Sequence, residues 1–143
     1  MNEIDCDIRK MKPEDFDKLY PLVQEFASSF TVSFESFKNS FESLMKDENA
    51  LLLVAETESG IIGYCLGFLH YTFYANGKVA CLEEIMVKAS YQRHGFGREL
   101  LSHFETWARI EGAILNTLAT RRAASFYYAV GYEESAAYFR KML

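Results

Sequence analysis

Apolar residues recur along this chain with two different periods, which predict helices and strands in separate segments. Intervals of three and four residues predict amphipathic helices, whereas short continuous apolar runs predict buried strands. The helical segments are 16–26, 34–45, 97–110 and a short one at 122–129. The strand segments are 4–9, 50–56, 61–73, 79–87, 113–119 and 134–141.

Turn and capping residues mark where several of these elements begin and end. Glu58-Ser59-Gly60 and Asn76-Gly77 predict tight turns that join three strands as antiparallel neighbours. Ser33 has the side chain of a helix N-cap, and Gly112 is placed to end the long helix. Pro21 lies inside the first helical stripe, where we expect it to split or kink the helix.

The predicted elements alternate as one strand, two helices, three antiparallel strands, a helix, a strand, a helix and a last strand. This order predicts an α/β (α+β) fold, with a mixed, mostly antiparallel central sheet flanked by helices on both faces. The chain has 143 residues, half of them hydrophobic, and only two prolines. It contains no repeat and no Ser/Gly/Pro-rich linker, so we expect residues 1–143 to form a single domain.

The charge balance narrows the class of function. A formal net charge of −5 at pH 7 argues against a nucleic-acid partner, which would favour a basic surface. No apolar run reaches the roughly 18 residues of a transmembrane helix, so no membrane partner is expected. The first residues, Met1–Asp5, are acidic where a secretory signal peptide is basic and then apolar.

Cysteine and histidine usage predicts neither a disulfide framework nor a metal site. Cys6, Cys65 and Cys81 are odd in number and widely spaced, and two of them lie in apolar runs. Buried free thiols in a reducing compartment are the natural interpretation, so we expect a cytoplasmic protein. His70 and His103 have no cysteine or carboxylate at ligand spacing, so no metal is expected.

A glycine-containing loop between a strand and a helix, at residues 92–97, carries the clearest chemical signal. Gly95 and Gly97 allow the backbone to approach a ligand closely. The free N–H groups and the dipole at the start of the following helix would form an anion site that suits a diphosphate. The chain has neither Gly-Lys-Ser/Thr nor a third glycine here, which excludes a Walker loop and a dinucleotide fingerprint. By itself, the unit could equally be a structural turn.

Two longer stretches make this signal more specific. Val87–Gly97 (VKASYQRHGFG) resembles the signature of the GNAT superfamily, Gln/Arg-x-x-Gly-x-Gly/Ala between a strand and a helix. Ala123–Tyr132 (AASFYYAVGY) resembles the second landmark of that family, an aromatic-Tyr pair followed by glycine and an aromatic residue. The resemblance extends over essentially the whole chain. It implies the GNAT fold and an acetyl-CoA-dependent N-acetyltransferase similar to spermidine/spermine and aminoglycoside N-acetyltransferases.

The resemblance also implies which residues would bind acetyl-CoA. They are Ile85, Met86, Val87, Gln92, Arg93, His94, Gly95, Phe96, Gly97, Arg98 and Thr120. The first three would hydrogen-bond the pantetheine arm where their strand splays from the next one. The amides of 92–97 would cradle the diphosphate, with charge added by Arg93 and Arg98. His94 occupies a variable position of the motif and is expected to be a solvated loop residue.

One cofactor contact departs from the usual family pattern. Many members have asparagine where this chain has Thr120, which can still donate a hydrogen bond. Arg121 and Arg122 follow it, and they either reach the CoA phosphate or form a solvated face.

The resemblance further implies a general acid and a general base. Tyr127 occupies the position of the family's tyrosine acid, and a phenol with an ordinary pKa near 10 is protonated at neutral pH; the alternative is a core aromatic. Its neighbour Tyr128 would point about 100° away on a helix. Glu83 and Glu84 are adjacent on a strand, so only one of them can face a cleft. Spermidine/spermine acetyltransferases have a carboxylate at the place of Glu83. This resemblance favours Glu83 as the general base, acting through a water molecule. The alternative is that either glutamate pairs with a lysine.

The acceptor implied by the resemblance is a primary amine that attacks the thioester directly. It could belong to a polyamine-like or other small molecule, to an aminoglycoside or, less readily, to a protein, and a homodimer is compatible with the family. The alternative function is a non-catalytic acyl-CoA-binding sensor or interaction module, although Glu83 and Tyr127 together favour an enzyme. Aromatic residues that either line a substrate pocket or belong to the core are Phe26, Phe30, Phe34, Phe37, Tyr71, Phe73 and Tyr74.

Overall fold

A five-stranded sheet forms the centre of the structure, a computed structural model that describes residues 4–143. In chain order the elements are β1 (Asp7–Lys10), α1 (Phe16–Phe26), α2 (Phe34–Met45), β2 (Ala50–Thr57), β3 (Gly60–Thr72), β4 (Gly77–Val87), α3 (Phe96–Ile110), β5 (Asn116–Leu118) and α4 (Ala124–Ala129). The strands lie in the order β1-β2-β3-β4-β5, with β5 parallel to β4 and all other neighbours antiparallel. The predicted mixed, mostly antiparallel sheet is therefore confirmed.

The first two helices form as predicted, but Pro21 does not divide α1. The helix continues through Pro21, which removes one i→i−4 hydrogen bond. Leu19 and Leu22, each only 1% exposed, hold this part of the helix against the sheet. Ser33 caps α2, since its Oγ accepts a 3.1 Å hydrogen bond from the N–H of Ser36.

The helices cover both faces of the sheet through two separate hydrophobic clusters. One cluster packs α3 and α4 against residues such as Leu53 and Leu82. The other packs α1 and α2 against residues such as Val54 and Met86. Leu53 and Val54 are consecutive and belong to opposite clusters, as alternation in a sheet buried on both faces requires. Among residues 4–143 there is no helix with the length and apolar character needed to cross a membrane.

Gly67 allows α3 to pack directly on β3. A Cβ atom at this position would lie 2.3 Å from the ring of Phe104 and 2.7 Å from the carbonyl oxygen of Cys81. Phe104 is completely buried, so its ring has no room to move aside. The absence of a side chain at Gly67 therefore permits this close contact between the helix and the strand.

An irregularity in the β3–β4 ladder determines where the glutamates of β4 point. Leu66 lies opposite Glu84, but the next residue, Gly67, lies opposite Leu82, so Glu83 has no partner on β3. A bulge of this kind adds one residue to a strand and shifts its alternation between the two faces. Even-numbered residues of β4 therefore face α3 before the bulge and face α1 and α2 after it.

The last two strands of the sheet separate soon after they meet. Ala80–Leu82 of β4 pairs with all three residues of β5. Beyond Leu82, β4 continues to Val87, and within residues 4–143 it pairs there with β3 alone. The divergence expected from the family resemblance is thus present, although β5 is shorter than the predicted strand at 113–119.

The last predicted strand, at 134–141, is wrong. Residues 133–143 contain no helix or strand, and every one of them is exposed. A strand needs a hydrogen-bonded neighbour, and this segment has none. Arg140 Nη1 instead donates a 3.1 Å hydrogen bond to Ser29 Oγ, while Tyr138 and Phe139 are 71% and 89% exposed. The short helix predicted at 122–129 is also slightly shorter in the structure, since α4 begins at Ala124.

Candidate active site

The loop before α3 presents unpaired backbone N–H groups. Within the described part of the chain, the N–H groups of residues 93–98 have no hydrogen-bond acceptor. Gly95 has a left-handed backbone with φ of 86°, and Arg93 shares that region with φ of 68°, which is uncommon for a residue with a side chain. These N–H groups lie at the positive end of the α3 dipole, so they form an anion cradle. An arrangement of this kind suits an anion such as a phosphate group.

Gln92 fastens this loop to the end of β4. Its backbone N–H donates to the carbonyl of Ala89 at 3.3 Å, and its side-chain Nε2 donates to the carbonyl of Val87 at 3.0 Å. A Cβ atom at Gly97 would lie 3.9 Å from both Val87 Cγ2 and Phe126 Cζ. The end of β4, the start of α3 and the side of α4 therefore meet at the anion cradle, while the amide of Gln92 is not part of it.

The polar side chains predicted near the cofactor surround this cradle. Arg93, His94 and Arg98 are all exposed. The ring of His94 stacks on that of Phe96 at a centroid distance of 5.9 Å, and Phe96 is buried in the core below. Arg98 also lines a cavity of about 260 Å³ between α3 and the end of α4. The guanidinium groups are thus free to pair with an anion, and His94 is a solvated loop residue as predicted.

The free edge of β4 directs the backbone groups of Ile85 and Val87 into the gap beside β5. The N–H of Lys88 donates to the carbonyl of Ile62 on β3 at 2.8 Å, and backbone groups alternate in direction along a strand. The groups of Met86 therefore point to β3, whereas those of Ile85 and Val87 point away from it. Of the three residues predicted to hold pantetheine, Met86 is not brought to this edge, and its side chain is buried under α1 and α2.

A cavity of about 410 Å³ lies between α1, α2 and the sheet, and we call it the α1–α2 cavity. Most of its wall is apolar. Its polar groups are the hydroxyls of the α2 region, among them Ser36 and Ser40, together with Tyr64 and Glu84 from the sheet. The cavity opens on the face of the sheet opposite α3.

The aromatic residues considered for a substrate pocket divide into three groups. Phe30 and Phe37 line the α1–α2 cavity. Phe26 and Phe34 are partly exposed near it, at 39% and 47%. Exposed on the hairpin between β3 and β4 are Tyr71, Phe73 and Tyr74. Two of the seven residues, Phe30 and Phe37, therefore lie in the wall of the α1–α2 cavity.

The bulge in β4 brings Glu84, rather than Glu83, to the α1–α2 cavity. Glu84 is half-buried and lines the cavity. Glu83 is exposed, and among the described residues its side chain accepts a single long hydrogen bond, 3.9 Å from the thiol of Cys81. The sequence-based choice of Glu83 followed the place of a carboxylate in spermidine/spermine acetyltransferases, which gives no sign that Glu83 is unpaired in β4.

Tyr64 is a cavity residue that the sequence did not single out. Its hydroxyl donates a 2.7 Å hydrogen bond to Glu84 Oε1, and its side chain is buried. Burial raises the pKa of Glu84, while the hydrogen bond from Tyr64 acts in the opposite direction. Burial and the neighbouring carboxylate raise the pKa of Tyr64 well above its usual range. The proton of this pair therefore stays on the phenol.

Tyr127 is both a core residue and a carrier of an unpaired hydroxyl. It is 8% exposed, with its ring centroid 5.0 Å from that of Phe126 and 5.7 Å from that of Tyr132. Among residues 4–143 its hydroxyl has no hydrogen-bond partner, and burial raises its pKa. Tyr128, in contrast, is exposed and donates to Glu134 at 3.2 Å. Tyr127 is thus the tyrosine of this pair that faces the interior.

A second polar network, which the sequence did not reveal, supports Tyr127. The hydroxyl of Tyr132 donates to Glu105 Oε2 at 2.6 Å and accepts from Asn116 Nδ2 at 2.7 Å. The backbone N–H of Tyr132 donates to the carbonyl of Tyr127 at 2.9 Å. The network therefore connects β5 and α3 to the end of α4. Asn116 Oδ1 is buried without a partner among the described residues.

Thr120, which was predicted to contact the cofactor, forms a hydrogen bond within the protein. Its Oγ1 accepts a 3.0 Å hydrogen bond from the N–H of Ala123, which orders the turn into α4. Its hydroxyl proton is still available to a ligand. Arg121 and Arg122 are exposed, and the structure gives neither of them a specific partner within residues 4–143.

The cysteines and histidines lie apart from these groups. Cys6, Cys65 and Cys81 are free thiols, and only Cys65 is fully buried, which raises its pKa to about 12. His103 Nδ1 shares a 2.9 Å hydrogen bond with the carbonyl of Glu99. Over residues 4–143, no three His, Cys, Asp or Glu side chains gather as a metal site would require.

Comparisons with known proteins agree with this arrangement. A family model described as an acetyltransferase (GNAT) domain matches residues 48–134. Similar solved structures include a transcriptional regulator from Bacillus halodurans C-125, with a TM-score of 0.88, 19% identity, and coverage of 97% of this chain and 100% of that chain. Glucosamine-6-phosphate N-acetyltransferase from Arabidopsis thaliana gives a TM-score of 0.85 at 19% identity, covering 96% of this chain and 98% of that one.

A third similar structure is an aminoglycoside N-acetyltransferase in complex with CoA. Its TM-score is 0.84 at 17% identity, with coverage of 99% of this chain and 98% of that one. At such identities these structures show the fold. Among curated protein sequences, none matches the chain. The family model spans more than half of the chain and includes the anion cradle, the divergent strands and α4, so this protein belongs to the GNAT acetyltransferase family.

Proposed function

We propose that this protein transfers the acetyl group of acetyl-CoA to a primary amine of a small molecule, by direct attack of the amine. The observation that carries the proposal is the half-buried carboxylate of Glu84 in the α1–α2 cavity. Glu84 lies on the strand whose free edge leads to the anion cradle at 93–98. A base, a cofactor edge and an anion site therefore follow one another along a single stretch of chain.

The residues of this stretch fit an extended acyl-CoA. The N–H groups of 93–98 would bind the diphosphate, and Arg93 and Arg98 would neutralise its charge. The backbone groups of Ile85 and Val87 would pair with the amides of the pantetheine arm as a further strand would. Acetyl-CoA, when bound, supplies an acetyl thioester for transfer. A CoA complex of an aminoglycoside acetyltransferase with this fold supports the choice of cofactor.

Glu84 is proposed as the base in place of Glu83. Tyr64 occupies Oε1 of Glu84, which leaves Oε2 to accept a proton from the ammonium group of the acceptor, directly or through a water. An ordinary glutamate, with a pKa near 4.3, is a weak base at neutral pH. Burial raises the pKa of Glu84 and so makes its carboxylate a better proton acceptor.

Tyr127 is proposed as the acid. A phenol with an ordinary pKa near 10 carries its proton at neutral pH, and burial raises the pKa of Tyr127 above that value. That proton would be donated to the leaving sulfur. The ring packing of Phe126 and Tyr132 would hold the hydroxyl in a fixed position, as transfer of a proton in the transition state requires.

The volume and position of the α1–α2 cavity support a small-molecule acceptor. At about 410 Å³ it lies within the range of roughly 300–1,000 Å³ of small-molecule sites. Two proteins with this fold are named for small-molecule amines, glucosamine 6-phosphate and aminoglycosides.

A cytoplasmic location and a homodimer are further proposals. The three free thiols support the first of these.

Thiol release from acetyl-CoA, measured against a panel of primary amines, tests the proposed function. We expect acceleration by at least one small amine, with Tyr127→Phe slower by about 10²–10⁴-fold, the usual contribution of a general acid. Tyr128→Phe is the matched control, since Tyr128 is exposed on the same helix, and should retain the wild-type rate.

Two other results would contradict the proposed function or the proposed acid. If CoA binds but no amine accelerates thiol release, the protein is a non-catalytic acyl-CoA sensor. If Tyr127→Phe keeps the full rate across the pH range, the proton for sulfur comes from another group.

A further inference from the structure

The wall of the α1–α2 cavity is apolar, with a few hydroxyl groups. Ten of its sixteen lining residues are apolar, and four are serine or threonine. The other two are Tyr64 and Glu84. Most of the surface that a ligand would meet in the cavity therefore favours hydrocarbon.

The cavity holds one negative charge and no positive charge. Glu84 is the only carboxylate among the described residues that line it, and neither lysine nor arginine lines it. Within residues 4–143, Glu84 forms no salt bridge; the ion pairs join Arg9 to Asp15 and to Glu56. A half-buried carboxylate is stabilised by a cation in contact with it. One ammonium group would supply that cation.

Compounds with several ammonium groups match this cavity poorly. Each additional ammonium that enters the cavity needs a carboxylate or an equivalent set of acceptors, because burying an unpaired charge is strongly unfavourable. Beyond Glu84, such a group would meet no second carboxylate among the described lining residues, only uncharged side chains: the four hydroxyls and apolar residues such as Leu19, Leu52 and Phe41. A compound with one ammonium group avoids this desolvation.

Exposed aromatic rings continue the apolar surface outside the cavity. Phe30 lines the cavity and is 62% exposed, and Phe34 is 47% exposed. Phe26 is 39% exposed, with its ring centroid 6.2 Å from that of Tyr64, which places aromatic surface next to the Tyr64–Glu84 pair. A cluster of exposed apolar groups at the edge of a cavity is typical of a ligand entrance.

From these observations we infer that the acceptor is a small primary monoamine with an aryl or alkyl body, whose ammonium group pairs with Glu84 and whose body lies against α1 and α2. The inference rests on the proposed function and narrows it, because polyamines and aminoglycosides would be poor acceptors. In the transfer, the ammonium loses one proton to Glu84, and its nitrogen forms a bond to the acetyl carbon. The carbon–sulfur bond breaks and sulfur takes the proton of Tyr127, while the nitrogen gives its second proton to the Tyr127 phenolate. The products are the N-acetyl amine and CoA, and the proton held by Glu84 passes to solvent.

Calorimetric titration of the protein–CoA complex with four compounds tests this inference. The compounds are 2-phenylethylamine, 2-phenylethanol, spermidine and kanamycin. We expect 2-phenylethylamine to bind at least about tenfold more tightly than each of the others, since a hydrogen bond to a charged group contributes roughly that factor. Thiol release from acetyl-CoA is measured with the same amines.

The two readouts separate the inference from the proposed function. If spermidine, kanamycin or 2-phenylethanol binds as tightly as 2-phenylethylamine, or if none binds, the inference is wrong even where acetyl transfer occurs. If 2-phenylethylamine binds selectively and no amine releases thiol, the cavity preference holds and the proposed reaction fails.

Three variants locate the bound amine. Glu84→Gln should lower the affinity for 2-phenylethylamine by about tenfold, so that 2-phenylethylamine no longer binds more tightly than 2-phenylethanol. Ser40→Leu, which places a larger side chain in the wall of the cavity, should lower the affinity for both compounds without changing the affinity for CoA. Glu42→Gln removes an exposed carboxylate of α2 outside the cavity and should bind 2-phenylethylamine as the wild type does. Unchanged affinity in both Glu84→Gln and Ser40→Leu would place the amine elsewhere and overturn the inference.

Discussion

The hydroxyl of Tyr64 donates a 2.7 Å hydrogen bond to Glu84 Oε1 across two neighbouring strands inside the α1–α2 cavity. Desolvation of Glu84 raises its pKa, and this hydrogen bond opposes that shift by stabilising the carboxylate. The net direction is upward. The pair would therefore set the pH at which Glu84, the proposed base, is ionised.

Tyr64→Phe should move the acidic limb of the rate profile to higher pH. The variant removes the interaction that lowers the pKa of Glu84 and keeps the burial that raises it. A base acts only when ionised, so kcat/KM falls as the pH falls through this pKa, and a higher pKa moves that fall upward. The measurement is kcat/KM for the amine against pH at saturating acetyl-CoA. Tyr71→Phe, on the exposed hairpin, should leave the limb in place, and an unmoved limb in Tyr64→Phe would contradict the pairing.

Glu84→Gln and Glu83→Gln provide a matched pair, because the two residues are consecutive and only the first lines the cavity. Loss of a general base lowers the rate by about 10²–10⁴-fold, so we expect this loss in kcat for Glu84→Gln. Glu83→Gln should stay within about twofold, since an exposed carboxylate outside the cavity contributes little. Steady-state kinetics with saturating acetyl-CoA distinguishes them. The reverse pattern would restore Glu83 as the base and require the β4 bulge to rearrange in the working enzyme.

The difference between these glutamates shows which features a sequence can predict. The order of the elements up to α4, the Ser33 cap and the position of the glycine-containing loop before α3 follow from local patterns or from a motif of adjacent residues, and the structure has them as predicted. The direction of Glu84 depends on the bulge, which arises from the pairing of Gly67 with Leu82. The alternation of residues along a single strand does not reveal which residues pair across the sheet, so it cannot predict the bulge.

Contacts between distant residues were missed for the same reason. Tyr64 lies twenty positions from Glu84, and Asn116 lies sixteen from Tyr132. Each of these residues has an ordinary sequence context, so only the fold brings the pairs together. The segment at 134–141 failed in the opposite way, because its local pattern is that of a strand while the fold offers it no neighbour.

Tyr132→Phe should destabilise the fold by removing the centre of the network with Glu105 and Asn116. Asn116 would lose the one side-chain partner it has among residues 4–143, in a place where its Oδ1 has no partner within that range. An unsatisfied buried polar group costs about 1–3 kcal/mol, so the free energy of unfolding in urea should fall by about that amount. The exposed Tyr128→Phe should show little change. Equal stability of Tyr132→Phe and the wild type would mean that this network only positions Tyr127.

Asp15→Asn should destabilise the protein strongly at neutral pH and much less in acid. Asp15 is 2% exposed and receives two hydrogen bonds from Arg9, at 2.8 and 2.9 Å, and one from the N–H of Lys12 at 2.7 Å. The side-chain hydrogen bonds from Arg9, the largest cause, lower the pKa of Asp15. Breaking a buried ion pair costs about 3–5 kcal/mol, so we expect a loss of that order at pH 7.

The pH dependence follows from the direction of the shift. Because the folded pKa is lower than the unfolded value near 3.9, the stabilisation is fully present above about pH 4 and disappears as the pH falls through the folded pKa. Urea unfolding at pH 7 and at lower pH should therefore show the wild type approaching Asp15→Asn in acid. Glu14→Gln, at the exposed neighbouring position, should follow the wild type throughout. A constant difference across pH would show that the charge of Asp15 is not what stabilises the fold.

Gly95→Ala and Gly97→Ala should show whether CoA affinity depends more on the backbone conformation of the anion cradle or on the space beside it. Gly95 has φ of 86°, a conformation that costs a residue with a Cβ atom about 1–2 kcal/mol. Gly97 has ordinary backbone geometry, and a Cβ there would make only van der Waals contacts at 3.9 Å. A strained or rearranged cradle should weaken CoA by about tenfold in Gly95→Ala, because 1.4 kcal/mol corresponds to a factor of ten in affinity. Gly97→Ala should bind CoA nearly as the wild type does, and calorimetric titration with CoA measures both. If Gly97→Ala were the weaker binder, close approach of the ligand to the first turn of α3 would matter more than the left-handed turn that precedes it.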